Sequence, residues 1–138
     1  MFNFFHKIIE PEKVFKKNQV ALAYLFGSEA RGEAHQESDV DLAILFDKKL
    51  KAESYLLFEG HLIEFFSKKY PKKEINLVNL NIAPPLLRQA VLTEGKLLYK
   101  KSELSRFFFQ MQAIRDYQDY LHLSGIQRIF LKERLANL

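Results

Sequence analysis

The 138-residue chain contains no cysteine. That excludes a disulfide framework, a thiolate metal site and a cysteine nucleophile, and it fits a reducing cytoplasm. Long hydrophobic runs are also missing: none approaches the roughly 20 residues of a membrane-spanning helix, so no membrane passage is expected. The N-terminus mixes Phe2, Phe4 and Phe5 with Asn3, His6 and Lys7. It lacks the basic start, apolar centre and small-residue cleavage site of a secretory signal and reads as mature chain. Charge of one sign is scarce, because the net +4 divides evenly between residues 1–100 and 101–138. The lysines at 48–51 and 68–73 sit beside helix ends and turns, with no basic stripe or interleaved aromatics, so direct nucleic-acid binding is not expected. No Pro/Gly/Ser-rich linker, repeat or low-complexity tract divides the chain. With 48% hydrophobic and 14% aromatic residues it can bury one core. Residues 1–138 therefore read as a single domain, with a core over about 18–100 and C-terminal helices over about 102–137.

Two apolar runs stand out, VALAYLF at Val20 to Phe26 and LAILF at Leu42 to Phe46. Continuous runs of this length predict central strands covered on both faces. The polar stretch from Ser28 to Ser38 between them is too long for a tight hairpin and predicts a loop with a short helix. Tyr55, Phe58, Leu62 and Phe65 or Phe66 recur at helical spacing, which predicts an amphipathic helix ending before Pro71. Ile75 to Leu80 reads as a third strand, Pro84-Pro85 as the start of a helix stopped by Gly95, and Lys96 to Tyr99 as a short edge strand. From Ser102 on, Leu104, Phe107, Phe108, Met111, Ile114 and Leu121 outline a broad aromatic helix face, and a second helix is expected after Gly125. This predicts an α/β (α+β) fold: a small mixed sheet with flanking helices and a C-terminal helical extension.

The chemistry concentrates in GSEARGEAHQESDVDLAILFD, Gly27 to Asp47. Gly27 lets the backbone come close to a ligand, Ser28 offers a hydroxyl and an amide at a helix start, and Arg31 adds a planar, permanently charged phosphate contact. Asp39 and Asp41 lie two apart on an extended segment, so both carboxylates leave one face with Cα atoms roughly 6.6 Å apart. Carboxylates that close repel unless a cation lies between them, and Mg²⁺ takes one or two protein carboxylates together with phosphate oxygens. The segment predicts a site for a magnesium-bound nucleoside triphosphate, with Gly27, Ser28 and Arg31 on the nucleotide and Asp39 and Asp41 on the metal.

A buried-type strand, Gly-Ser, ten residues, Asp-x-Asp and a second buried-type strand resembles the signature of the DNA polymerase β-like nucleotidyltransferase superfamily. Ala30-Arg31-Gly32, Ser38-Asp39-Val40-Asp41-Leu42 and Asn81-Ile82-Ala83-Pro84-Pro85-Leu86-Leu87 are more narrowly similar to the minimal nucleotidyltransferase (MNT) family. The resemblance spans about residues 18–100. It implies the polymerase β-like fold, Mg²⁺ as cofactor, ATP as substrate and, as partner, a HEPN-domain toxin that receives AMP on a tyrosine hydroxyl. It also implies a third carboxylate on the next strand. Here the aligned position is Asn76, and an amide cannot take a proton from an attacking hydroxyl. Glu74 shares the strand parity of Asn76 but lies roughly 6.6 Å further along. The reading is a site that binds Mg-ATP and transfers slowly or not at all. The alternative is an antitoxin that acts by direct contact with its toxin.

The other candidates read as structural. His35 is a solvated loop residue, His61 lies on the exposed side of its helix, and Tyr117 and Tyr120 are helix residues. Arg115 and His122 match a HEPN ribonuclease spacing by coincidence, since residues seven apart share a helix face. The aromatic face from Phe107 to Leu121 either caps the chain's own sheet or packs on a partner. A homo-oligomer through the C-terminal helices is one form of the second option.

Overall fold

In a computed structural model, residues 11–27 and 39–138 are described. The elements run α1 (Pro11–Lys17), β1 (Val20–Phe26), β2 (Val40–Phe46), a 3-10 turn (Ala52–Ser54) continuing into α2 (Tyr55–Lys69), β3 (Ile75–Asn79), α3 (Pro85–Glu94), β4 (Lys96–Lys100) and α4 (Glu103–Ala136). Helix α1 has no counterpart in the sequence reading. It is short and stops without glycine: Gln19 takes the left-handed conformation at φ 59° and accepts from the Asp47 amide at 2.8 Å.

The strands form one sheet in the order β3-β2-β1-β4. β1 is antiparallel to both neighbours, and β2 pairs with β3 in parallel. A parallel pair needs a crossover, and α2 supplies it. Period-two alternation sends the strand residues to two separate layers. Ala23 and Leu25 of β1 and Val40, Leu42, Ile44 and Phe46 of β2 pack against Phe15 of α1 and Leu62 and Phe66 of α2. On the opposite face Leu22, Tyr24 and Ala43 meet Leu80, Val91 of α3, and Phe109 and Ala113 of α4. A sheet covered on both faces explains why VALAYLF and LAILF read as continuous apolar runs rather than alternating ones.

The mixed sheet with flanking helices and a C-terminal helical extension agrees with the expected architecture. β2 begins at Val40, so Asp41 lies inside the strand and Asp39 immediately before it. β4 occupies the sheet edge beside β1, as expected. One expectation fails: no break follows Gly125, and α4 runs 34 residues without interruption. Glycine weakens a helix interior by only about 1 kcal/mol relative to alanine, which the good helix formers around it outweigh. The segment Ser28 to Ser38, with its expected loop and short helix, lies outside the described residues.

Candidate active site

The register of three strands builds the site. Asp41 sits opposite Phe26 of β1 and beside Asn76 of β3. Its parity places it with Ala43 on the sheet face that α3 and α4 cover, but at the end of the strand beyond those helices' buried contacts. Asp41 is therefore half-buried while Asp39, one step outside the strand, is exposed. Asn76 Nδ2 donates to Asp41 Oδ1 at 3.2 Å. The position aligned with a third carboxylate thus holds Asp41 as a donor, where an acid would repel it.

Gly27 closes β1 with φ +76°. A Cβ built there would lie 2.3 Å from Asp41 Oδ2, so only glycine fits between strand end and carboxylate. One oxygen of Asp41 is bonded to Asn76 and the other packs on the Gly27 backbone, which fixes the rotamer of the acid.

The donor set suits a hard cation. Asp39 and Asp41 offer carboxylate oxygens next to a strand end whose glycine admits a close approach, and Mg²⁺ asks for no more than one or two carboxylates when phosphates and water complete its shell. Among the described residues no group of three or more His, Asp or Glu gathers to hold a metal by itself. Ser28 and Arg31, the other expected nucleotide contacts, lie outside the described residues. Glu74 is exposed and its carbonyl accepts from the Val40 amide at 2.8 Å, which places it two residues beyond Asn76 on the same flank. His61 is exposed as expected, edge-on to Phe58.

A cavity of about 600 Å³ lies elsewhere, at the far end of β2, lined among others by Asp47, Lys48, Lys101, Arg88 and Phe108. The Lys101 side chain bonds Asp47, and with the Lys49 amide it holds that carboxyl below its usual range. Asp41 and Asp47 are six strand residues apart, roughly 20 Å, so this cavity is no part of the acid site.

The sequence names Asn81 within a motif but does not reveal its structural part beside that cavity. The Asn81 side chain pairs with Phe46 like an extra strand residue, accepting from its amide at 2.7 Å and donating to its carbonyl at 3.2 Å. Arg88 then ties the turn to α4, donating to the carbonyls of Leu80 and Asn81 and to Asp116 at 2.9, 3.1 and 3.0 Å. The signal was an asparagine directly after an apolar strand, where its amide can replace the backbone.

Comparisons with known proteins show the family and the fold. The model of the polymerase beta nucleotidyltransferase family matches residues 9–104. The protein adenylyltransferase MntA of Shewanella oneidensis is 28% identical over 119 residues, covering 86% of this chain and 79% of the relative. A crystal structure of a toxin–antitoxin with AMP-PNP superposes with a TM-score of 0.63 at 25% identity, over 90% of this chain and 94% of that one. At 24% identity, a tri-AMPylated Shewanella oneidensis HEPN toxin in complex with an MNT antitoxin shares the fold, with a TM-score of 0.60 over 90% and 92% of the two chains.

Proposed function

We propose, for a chain that belongs to the polymerase beta nucleotidyltransferase family, that it binds Mg-ATP and serves as the MNT antitoxin of a HEPN-domain toxin, with AMP transfer to a toxin tyrosine slowed by Asn76. The observation that carries the reading is the Gly27–Asp41–Asn76 cluster: a backbone cradle and a carboxylate pair, with an amide in place of the third acid. Support for the substrate and partner comes from MntA, an adenylyltransferase by name, and from the toxin–antitoxin with AMP-PNP. In this reading Asp39 and Asp41 hold Mg²⁺, and Gly27, Ser28 and Arg31 hold the triphosphate. A soluble cytoplasmic setting goes with it; no helix among the described residues is long and apolar enough to cross a membrane.

Asp39 and Asp41 would hold Mg²⁺, which when bound would supply neutralisation of phosphate charge beside the reacting oxygens. The tyrosine oxygen attacks the α-phosphorus, a new P–O bond forms, the bond to the β-phosphate breaks and pyrophosphate leaves. The hydroxyl proton needs a base in that step, and the Asn76 amide provides none. Loss of a general base costs about 10² to 10⁴ in rate. The second reading, neutralisation by direct contact, is favoured by the same residue, because the Asn76 amide is bonded to Asp41 and offers no base for transfer.

The test is single-turnover transfer from labelled ATP to the purified toxin, with wild type and Asn76→Asp side by side. Slow transfer in the wild type and an increase of about 10² or more in Asn76→Asp are expected. Fast wild-type transfer that Asn76→Asp leaves unchanged would refute the slowed-site reading. Absence of Mg-ATP binding by calorimetry would refute the site itself.

A further inference from the structure

The cavity beside Asp47 lies where the end of β2, the loop after it, the start of α3 and the first turns of α4 meet. Its volume of about 600 Å³ falls within the roughly 300–1,000 Å³ of small-molecule sites. Leu45 and Phe46 of β2 and Leu104, Phe108 and Phe109 of α4 form its apolar wall. Phe109 is buried, whereas Leu104 and Phe108 are 61% and 54% exposed. Apolar walls offer no hydrogen bonds to the water that would otherwise fill a space of this size.

The polar groups of the wall satisfy one another, with one exception. Asp47 takes Lys101, and Arg88 spends its donors on two carbonyls and Asp116. Gln112 also donates to Asp116, at 2.9 Å, and the Ser102 and Ser105 hydroxyls bond each other at 3.0 Å. The exception is a pair of cations. Among the described residues neither Lys48 nor Lys49 commits its ammonium to a hydrogen bond, and Lys48 Nζ lies 5.9 Å from the centroid of the Phe108 ring. A ring face attracts an ammonium without satisfying its three donors. The uncompensated charge at the cavity therefore has one sign, and it sits against an aromatic wall. A cation is repelled there, a neutral apolar molecule leaves both ammoniums unused, and a bare inorganic anion leaves the apolar wall wet.

We propose that this cavity binds a small amphipathic organic anion, with its apolar body against Leu104, Phe108 and Phe109 and its carboxylate, sulfonate or phosphate at Lys48 and Lys49. The bonds of Asn81 to Phe46 and of Arg88 to Asp116 hold the walls in place before a ligand arrives, which lowers the ordering cost of binding. The site stands independently of the nucleotide and partner readings, because the acid pair lies at the other end of β2.

The full chain is titrated with 2-naphthoate, with the neutral 2-naphthylmethanol, with the cationic 2-naphthylmethylamine and with inorganic phosphate, while amide chemical shifts are followed by NMR. Naphthoate is expected to saturate with a Kd of about 1 mM or tighter, shifting the amides of residues 47–49 and 101–109. The alcohol is expected to bind about tenfold more weakly, and the amine and phosphate not to saturate. The double variant Lys48→Glu/Lys49→Glu should bring naphthoate down to the alcohol's affinity and leave the alcohol unchanged. Phe108→Ser should weaken both ligands about tenfold, and Leu131→Ser, far along α4, should change neither. All four positions are exposed, so each variant is expected to melt with the wild type. Equal affinity for naphthoate and the alcohol in the wild type overturns the proposal, as does naphthoate binding that survives the double lysine variant. Shifts that phosphate alone reproduces, or that fall on residues 118–138 instead of the cavity, overturn it too, and so does a naphthoate titration that never saturates.

Discussion

At the residue scale the site turns on what a side chain does to its neighbour's oxygen atoms. Asp41 Oδ2 lies where a Cβ of residue 27 would be, and Asp41 Oδ1 accepts from Asn76. Gly27→Ala therefore has two costs: about 1–2 kcal/mol for a left-handed residue with a Cβ, and displacement of the Asp41 carboxylate. The expected outcome is a modest fall in melting temperature together with a fall of at least tenfold in Mg-ATP affinity, read by thermal unfolding and by calorimetry on the same preparation. A loss of stability with unchanged affinity would mean that Asp41 does not hold the metal. The place of Asp41 at the start of β2 was legible in the sequence because the apolar run LAILF follows it directly. The Asn76–Asp41 bond was not, because parity gives the face of Asn76 but not whether its amide meets an acid or water. That bond depends on the parallel register of β2 and β3, which is set by the length and packing of α2.

At the element scale the strands were readable because both faces of the sheet are covered, and each layer demanded an apolar residue at alternate positions. Helix α1 was not readable, since seven residues carry too little periodicity and its stop is a left-handed glutamine rather than glycine. Nor was the continuity of α4. Glycine suggested a break at 125, yet among the described residues nothing beyond its own helical turn comes within 4 Å of a Cβ placed there, so no such contact demands the glycine. Gly125→Ala should consequently stabilise the isolated helix segment by about 0.5–1 kcal/mol. Slower amide exchange between residues 121 and 132, measured by hydrogen–deuterium exchange, is the expected sign. Faster exchange would indicate that the helix bends at Gly125.

At the scale of the whole molecule, the chain is a compact nucleotidyltransferase body from which half of α4 projects. A helix of 34 residues is about 51 Å long, far more than one sheet face can cover. The body ends where Arg88 clasps Asp116, its other two donor groups holding the Leu80 and Asn81 carbonyls. Removing residues 118–138 takes away no buried side chain and leaves Phe109, Ala113 and the Arg88–Asp116 pair in place. The truncated body should melt within a few degrees of the full chain and bind Mg-ATP with the same affinity. Truncation from residue 109 should behave differently, because losing one buried phenylalanine alone costs about 3–5 kcal/mol, a large part of a small domain's stability. Isolated helices of the projecting length are marginal in water, so in the free protein amide protection should fade beyond Gly125. A first truncation that unfolds the body would mean that the projecting half folds back on the sheet in solution.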